Sequence, residues 1–265
     1  MTGPSLPPMR IQLLSDLHLE SEAFEPVPHP EADLLVLAGD IDSSWRGYLR
    51  FADWPVPVLA VAGNHEFDGR EMNGAWPALR EHCGRLGITL LERESCILSA
   101  RDGRRLRFVG AVRWCDFDAF GAVERPRAMR AGAYFQRVMA ATLGGLPFDA
   151  EAVRREALAS RAWLAAALAE PAHGRWEASV VVTHFAPSLA SADPRYGRQI
   201  GTACFCNADD ALLPGAALWL HGHLHCRHDY TVEHAGGRTR VVSQARGLEA
   251  KGETTGYDAA KLIAV

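Results

Sequence analysis

Five short apolar runs, each bounded by turn residues, constrain the fold of this chain more than any other feature of its sequence. Runs of this kind are typical of strands that are buried on both faces of a sheet. Such strands need cover on both sides, which favours a layered α/β protein. The runs occupy residues 10–15, 33–38, 56–62, 178–183 and 217–220.

The segments between these runs supply the helices that such sheets need. Residues 115–170 are mostly helical in pattern, and within them a long run begins behind Asp149, a favourable N-cap residue. With no repeat and no linker in the chain, we predict a single α/β domain over residues 1–265. Other helices are expected at residues 43–53 and 71–87, strands at 88–92, 95–100, 105–112 and 261–265, and a hairpin at 228–244.

The composition excludes several classes of protein. Hydrophobic residues make up 48% of the chain and charged residues 23%, which is ordinary for a globular protein. The net charge of −4 gives no general attraction to nucleic acid or to an anionic membrane. No run approaches the roughly 20 apolar residues of a membrane span, and residues 1–10 lack a signal-peptide core. We therefore expect a cytoplasmic protein with no membrane partner, and nucleic acid is not favoured as a partner.

The six cysteines are scattered along the chain, which favours reduced thiols over a disulfide framework. Cys204 and Cys206 form the one close pair, but the sequence CFC is not a CxxC motif. A metal or redox site at this pair is the less favoured interpretation.

Polar residues of a restricted kind follow each of the five apolar runs. Ligands of open α/β sheets bind beyond the carboxyl ends of the strands, so these side chains are expected to converge. They are carboxylates, imidazoles and one amide, a set that suits divalent Mn, Fe or Zn ions. They are too many for one tetrahedral ion, whereas two ions sharing a carboxylate would use them all. The candidate metal ligands are Asp16, His18, Asp40, Asn64, His184, His223 and His225.

The run WLHGHLH at residues 219–225 places three histidines two residues apart. If the run continues as a strand, its period of two puts His221, His223 and His225 on one face. A polar turn is the other interpretation. Gly222, between the first two histidines, would let the chain bend there without a Cβ clash.

In this order the motifs resemble those of the calcineurin-like metallophosphoesterase family. They are D-x-H at 16–18, G-D at 39–40, G-N-H-E at 63–66, a lone histidine at 184 and G-H-x-H at 222–225. The resemblance spans most of the chain. It implies a four-layer α-β-β-α sandwich, in which helices flank a double β-sheet that holds two divalent metal ions.

The resemblance also implies a role for each candidate ligand. Asp40 would bridge the two ions, and a hydroxide held between them would attack phosphorus in line. The ions would offset charge on the non-bridging oxygens. One ion would take Asp16, His18 and His225, and the other would take Asn64, His184 and His223.

Three neighbours of these ligands have other expected roles. His65 follows Asn64 but is not an expected ligand. Its role in the family is to contact the phosphate or to protonate the leaving oxygen, with Asp16 nearby to orient it, so both are candidate catalytic residues. Glu66 is expected to be structural, and His221 to support the site or to pack against it.

The substrate is harder to infer. Arg195 and Arg198 lie in a turn-rich segment after His184, at residues 188–201, which we expect to border the cleft. Either could clamp a phosphate, and a solvated loop arginine is an equally good explanation for both. Residues 123–132 are basic and could form a cap, although a solvated face is favoured.

The leading hypothesis is a two-metal phosphoesterase that acts on phosphodiesters of small molecules, and a cyclic-nucleotide phosphodiesterase is a close alternative. The G-D-x-V-D-R-G pattern of protein phosphatases is absent after Asp40, and the acidic balance weighs against a nuclease. A catalytically inactive metal-binding scaffold is the alternative from a different class. Such relatives have lost motif residues, whereas every motif position is filled here. Each of these residues alone could have a purely structural role, such as that of an aspartate in a turn. Structural roles do not explain why all of them occur together in this order.

Overall fold

The predicted apolar runs form strands in the structure, a computed structural model that describes residues 8–265. Three α-helices accompany thirteen strands in these residues. The helices are α1 (Met72–Arg85), α2 (Arg125–Met139) and α3 (Ala150–Ala169). The strands are β1 (Arg10–Leu14), β2 (Leu34–Ala38), β3 (Val58–Val61), β4 (Ile88–Leu90), β5 (Glu94–Ser99), β6 (Arg105–Ala111), β7 (Thr142–Leu143), β8 (Leu146–Pro147), β9 (Ala178–Thr183), β10 (Leu218–His221), β11 (Arg227–His234), β12 (Gly237–Gln244) and β13 (Leu262–Ala264).

Two mixed sheets carry the fold, and the central strands of each are parallel. The first has the order β13-β1-β2-β3-β4, with β13 antiparallel to β1 at its edge. The second has the order β11-β12-β10-β9-β6-β5, with antiparallel hairpins at both edges. Because β1, β2, β3, β9 and β10 are central parallel strands, the polar segments that follow them can meet at one end of the sheets.

The four-layer α-β-β-α sandwich predicted from the sequence is confirmed. Side chains such as Leu13, Val36, Phe108 and Val182 form an apolar core between the two sheets. Helix α1 covers the outer face of the first sheet, and α3 covers the outer face of the second, where Trp219 is fully buried. The single-domain organisation over residues 1–265 stays a prediction, and residues 1–7 lie outside the described part of the chain.

The sequence patterns predict most ends of the helices and strands to within two residues of their positions in the structure. Asp149 caps α3 as expected, because its Oδ1 accepts a hydrogen bond from the backbone N–H of Ala152 at 3.0 Å. Residues 43–53 differ from their prediction, since only a 3₁₀ turn forms there, at Arg46–Phe51. Trp45 precedes that turn with a left-handed backbone at φ 68° and provides no side-chain cap.

None of the described helices combines the length and apolar character needed to cross a membrane.

A buried ion network joins the end of β6 to the rest of the structure. The Arg113 guanidinium, with no exposed surface, donates to both carboxylate oxygens of Asp209 at 2.8 Å and to Asp116 at 2.7 Å. It also donates to the carbonyl of Ala157 in α3 at 3.2 Å. The network therefore fixes the chain that leaves β6 against α3.

We predict that Asp209→Ala lowers the free energy of unfolding by about 3–5 kcal/mol, because it leaves a buried guanidinium short of its main partner. Asp229→Ala is the matched control, since its pairs with Arg240 and Lys261 are about one-third exposed and each is expected to contribute no more than about 1 kcal/mol. Chemical denaturation measures both. Equal losses would show that the Arg113 network does not stabilise the fold.

Candidate metal centre

The polar segments at the strand ends have an unusual backbone. Five residues that are not glycine adopt left-handed φ angles there, a conformation that costs free energy for such side chains. Backbone hydrogen bonds hold the segments together, from Asp16 N–H to the Gly39 carbonyl at 3.0 Å and from His18 N–H to the Asp40 carbonyl at 3.2 Å. The five are Asp16 (φ 54°), His18 (48°), Asp40 (52°), His223 (71°) and His225 (49°).

The WLHGHLH run leaves its strand early. Strand β10 ends at His221, so the period of two does not extend to His223 and His225, which lie in the turn that follows. Gly222 is required for close approach rather than for bending, because a Cβ there would lie 2.6 Å from Asp16 Oδ2.

His221 lies apart from the other two histidines. It is fully buried, with Nε2 3.0 Å from Ser191 Oγ and Nδ1 3.0 Å from the Gly222 carbonyl oxygen. Burial lowers its pKa to about 3, so the ring is neutral. These contacts give it the supporting position expected from the sequence.

One cluster of ligand atoms contains Asp16, His18, Asp40 and His225, all within 4.8 Å of one another. Nε2 of His18 and Nε2 of His225 face each other at 3.1 Å. Their outer nitrogens are engaged by carboxylates, His18 Nδ1 by Glu20 at 3.2 Å and His225 Nδ1 by Glu253 at 2.6 Å. With the protons held on Nδ1, two lone pairs point at one another, an arrangement that suits a shared cation.

A second cluster contains Asp40, His184 and His223, with Asn64 beside it. Nδ1 of His184 donates to the Ala38 carbonyl at 2.8 Å, which leaves the lone pair on Nε2. That nitrogen lies 3.2 Å from Asp40 Oδ2, 3.2 Å from Asn64 Oδ1 and 3.1 Å from His223 Nδ1. Four acceptor atoms therefore converge, and Asp40 belongs to both clusters.

The charges at this site fit divalent cations. Asp16 and Asp40 are buried, and within residues 8–265 neither has an arginine or lysine partner. Burial alone would lower the pKa of His184, but the Asp40 carboxylate outweighs it and raises that pKa to about 9. Without a metal ion, a proton on Nε2 of His184 balances the carboxylate charge, and a cation that took the Nε2 lone pair would replace that proton. The buried Nε2 of His223 also lacks a hydrogen-bond partner among the described residues.

Glu66 braces the loops after β2 and β3, in agreement with its expected structural role. Its buried carboxylate accepts from the backbone N–H groups of Asp40 at 3.1 Å, Ile41 at 2.8 Å and Gly63 at 2.6 Å. Tyr48 also donates its hydroxyl to this carboxylate at 3.0 Å. Glu66 therefore fixes the backbone of Asp40 on the side away from the clusters.

His65 lies at the edge of the clusters, with about one-third of its side chain exposed. The predicted orienting role of Asp16 is not found, because Asp68 is the carboxylate that contacts the ring, 2.6 Å from Nδ1. The Asp16 oxygens instead accept from the backbone N–H of His223. Burial lowers the pKa of His65, but the carboxylates of Asp40 and Asp68 outweigh it and raise the pKa to about 10.

The clusters form the floor of an open cleft of about 880 Å³. Arg195 lines the cleft, but its guanidinium already pairs with Asp193 at 2.6 Å and approaches Glu253 at 3.7 Å. Arg198 is exposed and does not line it. Cys204 does, yet burial raises the pKa of Cys204 and Cys206 to about 12, which keeps both as thiols.

Helix α2 forms one wall of the cleft, through residues 134–139. The basic stretch at 123–132 lies outside that wall, in agreement with the solvated face favoured from the sequence. The helical region therefore contributes to the cleft through the last turns of α2, which follow the basic stretch.

Comparison with known proteins agrees with this site. The family model described as calcineurin-like phosphoesterase matches residues 9–227, and the chain belongs to that family. It is a metal-dependent phosphoric ester hydrolase. No protein of curated function matches the sequence.

One solved structure that it resembles is phosphopantetheinyl hydrolase from Mycobacterium tuberculosis. The two chains are 18% identical, the match covers 97% of this chain and 96% of the other, and the TM-score is 0.69. The likeness supports the fold.

We predict that Asp40→Ala removes most bound metal from both clusters, whereas His221→Ala leaves metal content near that of the unaltered protein. Asp40 is the carboxylate that the clusters share, and His221 contacts Ser191 instead. Elemental analysis after loading with Mn²⁺ measures the difference, with circular dichroism to check folding. Equal metal loss in the two variants would mean that the histidine cluster is assigned wrongly.

Proposed function

We propose that this chain hydrolyses phosphodiesters of small organic molecules with two divalent ions held by Asp40 and six further residues. The observation that carries the proposal is the pair of ligand clusters that share Asp40 on the floor of an open cleft. The six others are Asp16, His18, Asn64, His184, His223 and His225.

Divalent ions at such a site supply Lewis acidity and an ionised water near neutral pH. The chain's own residues prepare the site for them. Glu20, Glu253 and the Ala38 carbonyl hold the outer nitrogens of three histidines, so that the inner nitrogens present lone pairs. Glu66 fixes the backbone of Asp40, which keeps the shared carboxylate between the clusters.

His65 is the proposed general acid. It lines the cleft beside the clusters, and its ring lies edge-on to that of His18 with the centroids 5.0 Å apart. Asp68 engages Nδ1, which leaves Nε2 as the nitrogen that can donate to a leaving oxygen. Asp68 is the positioning residue in this scheme, in place of Asp16.

The charge of the cleft supports a diester over a monoester. Carboxylates outnumber the arginine and lysine side chains in its walls. Among the described residues, Arg195 and Lys251 are the arginine and the lysine that line it. Bound divalent ions would attract the phosphate of either ester, so the preference is attributed to the walls beyond the ions. There the second negative charge that a monoester carries near neutral pH adds repulsion that a diester does not meet. The carboxylates beyond the metal ligands are those of Glu20, Asp68, Asp193 and Glu253.

An inactive scaffold fits less well. Every ligand position and His65 are filled, and the clusters open into the cleft. The name of the M. tuberculosis structure refers to a phosphopantetheinyl group, and a likeness at 18% identity supports the fold alone and not that substrate. A cytoplasmic location is part of the proposal and is supported by six free cysteines.

We expect two metal ions per chain at saturation, loss of diesterase activity on chelation, and recovery with Mn²⁺ or a similar ion. The seven nitrogen and oxygen ligands are too many for one tetrahedral ion. Metal analysis of the loaded protein, together with turnover of a generic diester and its monoester, tests this. A folded, saturated sample with one ion or fewer per chain, or with no turnover, contradicts the proposal.

We predict that His65→Ala slows hydrolysis of an alkyl diester far more than that of a p-nitrophenyl diester. General acid catalysis contributes about 10²–10⁴-fold in rate, and an alkoxide needs the proton whereas p-nitrophenolate does not. His65→Asn, which cannot donate an acidic proton, should show the same ordering. Initial rates on both substrates, with metal content checked, give the comparison. Equal losses on the two substrates would assign His65 to phosphate binding instead.

A further inference from the structure

Exposed apolar side chains are concentrated around the cleft. Ten large apolar side chains are exposed in the described chain, and four of them line this one cleft. Exposed apolar groups scattered singly need no explanation, whereas their grouping in a cavity marks a binding surface. The four are Tyr134 (59% exposed), Phe135 (42%), Val138 (60%) and Tyr196 (64%).

A continuous series of rings joins the metal centre to this apolar wall. His223 lies between Phe185, at a centroid distance of 4.0 Å, and Phe205, at 5.2 Å. Phe135 of α2 packs edge-on to Phe205 at 5.0 Å, and Tyr134 packs edge-on to Phe135 at 5.4 Å. All five rings line the cleft. The series therefore begins at a ligand of one cluster and ends at the exposed surface of α2.

We propose that this ring series is a subsite for one of the two ester groups of the substrate. That ester group is the one that does not leave, and it carries a planar aromatic ring. The inference rests on the proposed function and names the substrate class of the same site. A phosphate held at the clusters would lie beside His223, where the series starts, and with its leaving oxygen toward His65 its other ester group would be free to meet the series. Other parts of the cleft carry the carboxylates of Glu20 and Asp68, which do not favour an apolar group.

A planar ring fits this wall better than an aliphatic chain. Edge-to-face ring pairs contribute free energy beyond the area that they bury, and aliphatic groups gain only the buried area. The exposed surfaces of Phe135 and Tyr134 lie next in a series whose members are already spaced as ring pairs. A ring from the substrate would extend the series by one member.

The experiment compares two diesters that share a p-nitrophenyl leaving group, one with a 1-naphthyl and one with a cyclohexyl second ester. The preference is the ratio of kcat/KM for the naphthyl diester to kcat/KM for the cyclohexyl diester. Dividing the ratio of a variant by that of the unaltered protein cancels the intrinsic reactivities of the two diesters. Phe135→Ala should raise KM for the naphthyl diester about three- to tenfold with kcat little changed, and should shift the cyclohexyl diester much less. Phe135→Leu keeps apolar bulk without a ring, and Phe135→Trp keeps a ring.

A matched control is Leu158→Ala, on α3, because Leu158 is 41% exposed and does not line the cleft. A second readout is calorimetric binding of 1-naphthyl and cyclohexyl methylphosphonates, which needs no turnover. The proposal expects Phe135→Trp to retain the naphthyl preference and Phe135→Leu to lose it. If Phe135→Leu retains the preference in full, or Leu158→Ala reduces it equally, the ring subsite is overturned.

The two proposals fail differently. Turnover of both diesters with no naphthyl preference would overturn the ring subsite and leave the diesterase intact. Preferential binding of the naphthyl phosphonate without turnover of any diester would leave the ring subsite and overturn the diesterase.

Discussion

The structure of the site depends on two buried carboxylates that have no arginine or lysine beside them in the described part of the chain. Asp16 and Asp40 are 0% and 1% exposed, and in the described part of the chain their charged partners are histidines alone. Burying an unpaired carboxylate is costly, so the fold needs either protons on the imidazoles or metal ions among them. The raised pKa of His184 shows the first solution, and the inward-facing lone pairs of the clusters provide for the second.

This requirement explains the irregular backbone at the strand ends. In a regular strand, residues two apart such as Asp16 and His18 would stand side by side on one face, and their side chains could not turn toward a common point. Left-handed residues re-aim them at a cost in conformational energy. The Glu66 carboxylate opposes that cost, since three backbone N–H groups from the loops after β2 and β3 donate to it. Close approach also restricts residue choice, because a Cβ on Gly63 would lie 2.1 Å from Asp40 Oδ1.

Sequence reasoning worked where local chemistry repeats and failed where tertiary contacts decide. The strands could be read because each is a short apolar run, and the residues that form the two clusters because each follows a strand. Asp68 carried a weak local signal, a carboxylate three residues after His65 in one helical turn, and was missed. Glu253 carried none, since it lies 28 residues from the His225 ring that it contacts. The sequence did not reveal the apolar wall on α2, because its apolar residues differ from those of other helices in their exposure and not in their type.

His223 differs from the other histidines of the clusters in how it is held, and that difference links metal binding to the cleft wall. Glu20, Glu253 and the Ala38 carbonyl fix the outer nitrogens of His18, His225 and His184. Among the described residues the buried outer nitrogen of His223 has no such partner, and its ring is packed between Phe185 and Phe205 instead. Stacking fixes the plane of a ring less sharply than a carboxylate fixes a nitrogen. The wall that would contact the substrate is therefore the same wall that aims one ligand of the second cluster, so occupancy of either can alter the other without a domain movement.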